Sequence, residues 1–322
     1  MAPGVMCRLD LPGNPSQPFH YRINLNYARA GAWGDILLLG VHLAFACSRP
    51  DLDGPSANWQ LATCAGVAAS ILWRLLLPAH HARWREALTL VLRLTGLGLG
   101  LGVHHVWQVV HSEALPGMPS AADGGLNGEP AAALGDAAAQ MARLLFVSCA
   151  GSLVVLALTL RMRLTLSAVA QAGLVASLLP HTRAGCAGPL MSHPAIQRAT
   201  HRIYGMLSWV GTPLPLPLAP MVAPTPVEEC AVIVTFFQVG LGLLLPLLWE
   251  AVVAARAFAA HQRQRRAAGL PAERGLQAWL YTQVWELCSN TEGGLTVPPA
   301  LLAWILLAVA WDWTAFLTAS SH

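Results

Sequence analysis

Long runs of apolar residues recur along this chain, separated by short polar or basic links. Eight such segments stand out, at about 32–47, 59–78, 87–110, 142–160, 164–180, 203–222, 230–255 and 297–318. A helix needs about 20 mainly apolar residues to cross the hydrocarbon core of a bilayer. No segment shows the alternating pattern of a membrane β-barrel strand. The pattern therefore predicts an all-α fold, a polytopic transmembrane helical bundle.

The polar stretches between these segments suggest how the chain is divided. Residues 1–31 are expected to form a polar N-terminal arm, and residues 32–319 a transmembrane helical domain. Residues 111–140 are rich in Gly, Ala and Pro, which predicts a disordered loop. Residues 256–274 carry five arginines, and residues 273–289 repeat apolar side chains at helical spacing. We expect that last stretch to be a helix lying in the membrane interface.

Arginine counts orient the segments, because basic residues are enriched on the cytoplasmic side. The links 80–86 and 256–274 and the N-terminal arm are basic and are placed inside; the acidic link 111–140 and the pair Glu228–Glu229 are placed outside. These assignments agree only if one of the segments 164–180 and 203–222 fails to cross. We favour the second, which gives about seven crossings, with the N-terminus inside and the C-terminus outside.

The segment 203–222 contains closely spaced prolines, among them Pro213, Pro215 and Pro217. Each interior proline removes a backbone hydrogen bond and clashes with the preceding turn. We therefore predict that regular helix ends near Gly211, and that the following chain is broken or re-entrant. Extended backbone at membrane depth must be buried in protein or line water, so these prolines are candidates for the wall of a polar cavity.

Composition supports the membrane assignment and excludes some activities. Hydrophobic residues make up 55% of the 322 residues and charged residues only 11%, against about 25% in soluble domains. The net charge of +3 gives no reason to expect a nucleic-acid partner, and the expected partner is the lipid bilayer. All basic residues are arginine. Without lysine, a Schiff base to retinal or pyridoxal phosphate and a Walker A loop are excluded.

The seven cysteines form no C-x-x-C pair and are odd in number, so we expect neither a disulfide framework nor a zinc knuckle. The N-terminus lacks the apolar core of a cleavable signal peptide. The sequence therefore predicts an integral membrane protein without indicating which membrane it occupies.

Four glycines alternate with leucine at the end of the third segment: Gly96, Gly98, Gly100 and Gly102. In a helix they form two overlapping G-x-x-x-G pairs, which allow close approach of a second helix. The simpler interpretation is that these glycines allow tight packing within the bundle. The more specific interpretation is that they mediate helix–helix association between two chains.

Histidines are the weak candidates for metal or haem ligands. His104 and His111 share a helix face with Gln108, and His42 shares one with Asp35. Ionisable groups inside a membrane often mark pathways or metal sites, so Asp35 and Gln108 are also candidate pathway residues. The alternative is that these histidines simply lie at the wet interface. No cofactor is favoured.

Single charged residues near segment ends, including Arg93, Glu250 and Asp312, are expected to reach lipid headgroups. Two classes of function remain open. The favoured class is a non-enzymatic multi-pass protein, either transporter-like or a membrane scaffold. The alternative is a membrane enzyme or electron carrier that uses His42, His104 or His111 as metal or haem ligands.

Overall fold

The computed structural model describes residues 14–30, 36, 39–40, 43, 54–98, 138, 140–142, 144–145, 148–187, 191, 194–211, 224–289 and 298–319. Within these ranges the backbone is helical apart from short turns, and no strand occurs. The all-helical class predicted from the apolar segments is therefore confirmed.

The main helices are α1 (Phe19–Ala30), α2 (Gly54–Leu76), α3 (Pro78–Gly98), α4 (Ala150–Thr159), α5 (Leu164–Cys186), α6 (Pro194–Gly211), α7 (Pro226–Phe236), α8 (Leu245–Ala267), α9 (Leu276–Ser289) and α10 (Pro299–Ala319). Several helices overlap the apolar segments, whereas α1 and α9 lie outside them. A π-helix, Phe237–Leu244, joins α7 to α8. The basic link 80–86 lies inside α3 rather than in a loop.

Among the described residues, three helices are long and apolar enough to cross a membrane: Leu164–Cys186, the combined helix Pro226–Ala267, and Pro299–Thr318. Leu61–Leu76 and Ala150–Thr159 are shorter apolar helices. The helix Leu164–Cys186 corrects the bounds expected from the sequence, where this segment ended at residue 180. Helix α5 continues through Pro180 to Cys186 and is 23 residues long, because a proline inside a membrane helix is tolerated when neighbouring groups satisfy the freed carbonyl.

The start of α7 shows how the sequence sets a helix boundary. Thr225 is the N-cap, its hydroxyl accepts from the backbone N–H of Glu228, and the Glu228 carboxylate accepts from the N–H of Thr225. Pro226 occupies the first turn, where its missing N–H is not needed. This reciprocal capping box satisfies two backbone donors that the helix itself leaves unpaired.

The chain divides into two compact units. The first comprises residues 1–95, 156–170 and 247–301, and the second comprises residues 96–155, 171–246 and 302–322. The core of the first unit includes three aromatic rings in mutual contact: Phe19, Phe258 and Tyr281, with centroids 5.2–5.6 Å apart. Helix α1, within the expected polar arm, thus has one end buried against α8 and α9.

The second unit has its core around α7. Residues 230–234 of that helix are all buried and pack with Ile203 of α6 and Trp311 of α10. A disulfide joins Cys186, at the end of α5, to Cys230, near the start of α7. The sequence predicted no disulfide framework, and it gave no sign of this single bond because the two cysteines lie 44 residues apart.

Close glycine contacts occur at the π-helix and at the end of α6. A Cβ on Gly242 would lie 2.6 Å from Leu153 Cδ1, and one on Gly211 would lie 2.8 Å from the Trp311 ring. Helices α4 and α10 approach these backbones closely because no side chain intervenes. Gly100 and Gly102 lie outside the described residues, as do the surroundings of Gly96 and Gly98 in the last turn of α3.

Candidate functional site

Most of the site residues predicted from sequence lie outside the described residues. This applies to Asp35, Gln108, Pro213, Pro215 and Pro217. It applies equally to the three histidines proposed as ligands, His42, His104 and His111. Across the described part of the chain, no group of three or more His, Cys, Asp or Glu side chains could hold a metal ion. The histidine hypothesis therefore stays a prediction.

Arg93 and Glu250 form a buried ion pair in the first unit. Arg93 Nη2 lies 3.2 Å from Glu250 Oε1, and the side chains are 0% and 5% exposed. The expectation that each residue reaches lipid headgroups is therefore wrong. The two positions are 157 residues apart in sequence, so each charge looked isolated in its own segment. Burial of two charges is tolerated here because each compensates the other.

The Arg93 guanidinium also has three neutral acceptors. Nη1 donates to Ser167 Oγ at 2.7 Å, and Nη2 donates to the carbonyls of Ala157 at 3.1 Å and Leu160 at 2.9 Å. These acceptors lie at the end of α4 and the start of α5. Arg93 of α3 therefore connects three helices, and the planar fork of a guanidinium suits such a junction.

Glu250 is one of the residues that line a small cavity in the same unit. The volume of this cavity is about 30 Å³, enough for about two water molecules at ~10–15 Å³ each. Its wall comes from α1, α3, the α4–α5 link, α8 and α9, and its polar lining is His20, Asn24, Glu86, Arg161, Arg163, Glu250, Gln277 and Tyr281. The cavity suits water or a small ion better than an organic substrate.

Three other interactions fix the polar wall of this cavity. Arg163 Nε lies 2.7 Å from Glu86 Oε2 in a partly exposed ion pair, and Gln277 Nε2 donates to Thr165 Oγ1 at 3.0 Å. Arg161 Nε donates to the carbonyl of Leu158 at 3.0 Å. The α4–α5 link is thereby held against α3 and α9 on either side of the cavity.

A second polar cluster lies where α1 meets the end of α8. His261 is fully buried, with Nδ1 2.8 Å from Arg22 Nη1 and Nε2 2.8 Å from Glu273 Oε2. A guanidinium can only donate, so Nδ1 accepts and Nε2–H donates to Glu273. Glu273 also accepts from the backbone N–H of Phe19 at 3.1 Å. This cluster fastens α1 and the α8–α9 turn to α8.

Polar contacts also occur in the second unit, and those of Gln171 and Thr182 are buried. Gln171 Nε2 donates to the carbonyl of Gly242 at 2.6 Å and to that of Leu153 at 3.1 Å. Thr182 Oγ1 donates to Gln238 Oε1 at 3.2 Å. His201 Nδ1 lies 2.6 Å from Glu229 Oε1. The first two pairs are interhelical hydrogen bonds of the kind that join membrane helices.

Comparison with known proteins identifies no relative. No family model, no curated protein and no solved structure matches this chain.

The signal that could have located Arg93 and Glu250 was available in the sequence. Each is a charge within or next to an apolar run, and charges in such positions usually face the bundle interior and pair with one another. Assigning both to headgroups overlooked the simpler alternative, in which the two compensate each other. Only the pairing itself, across 157 residues, needed the structure.

Proposed function

We propose that this chain is a polytopic integral membrane protein of the transporter-like, non-enzymatic class, with Arg93 and Glu250 at its charged centre. The observation that carries the proposal is the buried ion pair beside a water-sized cavity, in a chain whose described part holds three helices of membrane-spanning length. Buried ionisable groups in membrane proteins commonly mark the pathway of an ion or solute.

The described helices favour about seven crossings, with 203–222 as the segment that does not cross. Helix α5 has the length to span the bilayer, and the disulfide holds its end at Cys186 beside Cys230 near the start of α7. The chain between these cysteines then begins and ends on one side of the membrane. This part of the chain must therefore cross the membrane an even number of times. The simplest arrangement is that it does not cross at all.

The same disulfide supports the orientation given by the arginine counts. Disulfides persist in oxidising compartments and are rare where thiols are kept reduced. The bond adjoins Glu229, one of the acidic pair placed outside. The exposed arginines near the end of α8, Arg263 and Arg266, are placed on the opposite, cytoplasmic side.

Transport can be tested with the full chain in sealed liposomes. Fluxes of protons, sodium and chloride are measured in turn with ion-sensitive dyes under an imposed gradient of each ion. We expect a flux of at least one ion above that of protein-free liposomes, lowered several-fold by Glu250→Gln. The matched control, Glu286→Gln, changes an exposed carboxylate on α9 and should leave the flux unaltered.

Equal flux with and without protein for all three ions would contradict the ion-transport proposal and leave the membrane scaffold as the better interpretation. If the flux is equally high in wild type and Glu250→Gln, the protein transports the ion but the Arg93–Glu250 pair is not required for transport.

A further inference from the structure

One face of α6 is exposed along most of the helix. Its residues recur every three or four positions, which places them on the same side of a helix. The opposite face packs in the core around α7, where Ile203 of α6 is fully buried. The exposed residues of this face are Arg198, His201, Arg202, Gly205, Met206, Trp209 and Val210.

The exposed face of α6 changes character along the helix axis. Polar and basic side chains occupy its first half, up to Arg202, and large apolar side chains occupy its second half. In that second half, Met206, Trp209 and Val210 are 52%, 85% and 50% exposed. Exposed apolar patches bordered by polar residues often mark contact with a membrane or with another protein.

The first half of α6 lies level with the start of α7. His201 Nδ1 is 2.6 Å from Glu229 Oε1, and Glu229 directly precedes the apolar run that begins at Cys230. The disulfide between Cys186 and Cys230 holds the end of α5 at the same level. Glu229 therefore marks the headgroup boundary of this long apolar helix, on the side placed outside.

The second half of α6 lies deeper along the neighbouring helices. A Cβ on Gly211 would be 2.8 Å from the Trp311 ring, whose centroid is 5.3 Å from that of Phe236. Phe236 is seven residues beyond Glu229, or about 10 Å at 1.5 Å per residue. Along α10, Trp311 is eight residues before Ala319 at the end of the helix, or about 12 Å. Both helices place the end of α6 within one leaflet, whose acyl chains are ~15 Å deep.

We propose that the exposed face of α6 is a binding surface for phospholipids of the outer leaflet. Met206, Trp209 and Val210 lie among the acyl chains, whereas Arg198 and Arg202 lie at the phosphates. A guanidinium group suits this position, because its paired N–H donors match the oxygens of a phosphate. The inference rests on the topology proposed above, in which the segment 203–222 does not cross, and it assigns a partner to the helical part of that segment.

The order of side chains along the face favours lipid over other occupants. The basic half lies at the headgroup boundary and the apolar half lies below it, as the polarity of one leaflet requires. Among the exposed residues of this face, two are arginines and none carries a carboxylate, which complements phosphate. A second copy of this chain, related by a two-fold axis along the membrane normal, would bring the basic halves together, and like charges facing each other are unfavourable.

Electron paramagnetic resonance of the full chain in phospholipid vesicles tests the proposal. A nitroxide is attached at Trp209→Cys, Met206→Cys or Arg198→Cys, and the labelled parent protein gives the background from native cysteines. The matched control is Arg263→Cys, at an exposed position near the end of α8. Collisions are measured with oxygen, which concentrates among acyl chains, with a water-soluble nickel complex, and with a nickel-chelating lipid at headgroup level.

We expect the labels at positions 206 and 209 to collide with oxygen several-fold more, and with the nickel complex several-fold less, than the label at position 263. The label at position 198 should collide with the nickel-chelating lipid more than the label at position 209 does. Both apolar positions are exposed, so these substitutions should leave the melting temperature unchanged. Agreement between them shows that the result does not depend on a single variant.

Three other outcomes would overturn the proposal or separate it from the transport function. Water-like collisions at positions 206 and 209 would place the face in solvent. Low collision rates with every reagent would show that protein covers it, either a second copy or another segment of this chain. Lipid-like collisions without ion flux in the liposomes would keep the lipid surface and contradict transport, and flux with water-like collisions would do the reverse.

Discussion

Removal of one partner of the Arg93–Glu250 pair leaves the other charge buried and uncompensated. We expect Arg93→Met to destabilise the protein by ~3–5 kcal/mol, the range for breaking a buried pair. Thermal unfolding in detergent would show this as a clear fall in the midpoint temperature. Arg83→Met is the matched control, because Arg83 is an exposed arginine on the same helix and should change stability by only ~0.5 kcal/mol.

Removing both charges tests whether the pairing itself is responsible. The double variant Arg93→Met with Glu250→Met should recover much of the stability lost in either single variant, since neither charge is then left alone. Additive losses in the double variant would show that Arg93 acts mainly through Ser167 and the carbonyls of Ala157 and Leu160.

Adjacent histidines at the start of α3 should respond differently to acid. His81 is 3% exposed, whereas His80 is exposed. Burial, with smaller effects from Arg85 and Arg74, lowers the pKa of His81 from 6.5 to about 4. The unfolded chain therefore binds a proton more readily than the folded one, so this contribution to stability is complete above pH 6.5 and is lost as the pH falls towards about 4.

The pH dependence of unfolding checks this prediction. Melting temperatures between pH 7 and about 4 should fall less steeply in His81→Gln than in wild type. His80→Gln should follow the wild-type curve. Identical curves for all three proteins would show that His81 does not contribute to acid sensitivity.

At the scale of the element, two glycines of α6 provide a matched pair. A Cβ at Gly211 would lie 2.8 Å from the Trp311 ring, whereas nothing lies within 4 Å of one at Gly205. We expect Gly211→Ala to destabilise by ~1–3 kcal/mol through overpacking. Gly205→Ala should be neutral or stabilising by up to ~1 kcal/mol, because alanine favours helix. Thermal unfolding of both variants is the measurement.

The apolar pattern predicted elements well and their partners poorly. It located α5, α7–α8, α9 and α10, because length and apolarity are local properties of a membrane helix. In α9 the apolar residues do not share one environment: Val284 packs against the core around Phe258, whereas Trp279 is exposed. Whether that helix lies in the interface, as expected, stays a prediction.

The candidate site was not predictable in the same way. Pairings such as Arg93 with Glu250 or Cys186 with Cys230 join positions far apart in sequence, and a periodic pattern carries no information on which segments become neighbours. The buried His261 shows a related difficulty. It lies in a stretch assigned to a basic link, and α8 continues through this stretch as a helix to Ala267.

At the scale of the whole molecule, the orientation can be tested with two exposed arginines. Arg198 lies on α6 and Arg263 lies near the end of α8. We expect Arg198→Cys to react with a membrane-impermeant maleimide in intact cells and Arg263→Cys to react only after the cells are opened. This result requires α6 to lie on the outer side, as it does if the segment 203–222 does not cross.

Several outcomes of the labelling are informative. Labelling of Arg263→Cys in intact cells would reverse the arginine-based orientation. Protection of both positions would place α6 inside and contradict the seven-crossing topology. The parent protein without either substitution gives the background reaction of the native cysteines.

The π-helix Phe237–Leu244 determines the direction in which the side chains of the following residues of the same continuous helix point. Its end is marked by the N–H of Leu245 donating to the carbonyl of Gly240, five residues back, instead of the four of an α-helix. Each residue of an α-helix turns the chain by about 100°. Deleting Leu243, which would allow a regular α-helical ladder to form, would therefore turn the side chains that follow it in the helix by about that angle relative to those of α7. A loop would absorb such a deletion, whereas a continuous helix transmits it along its axis.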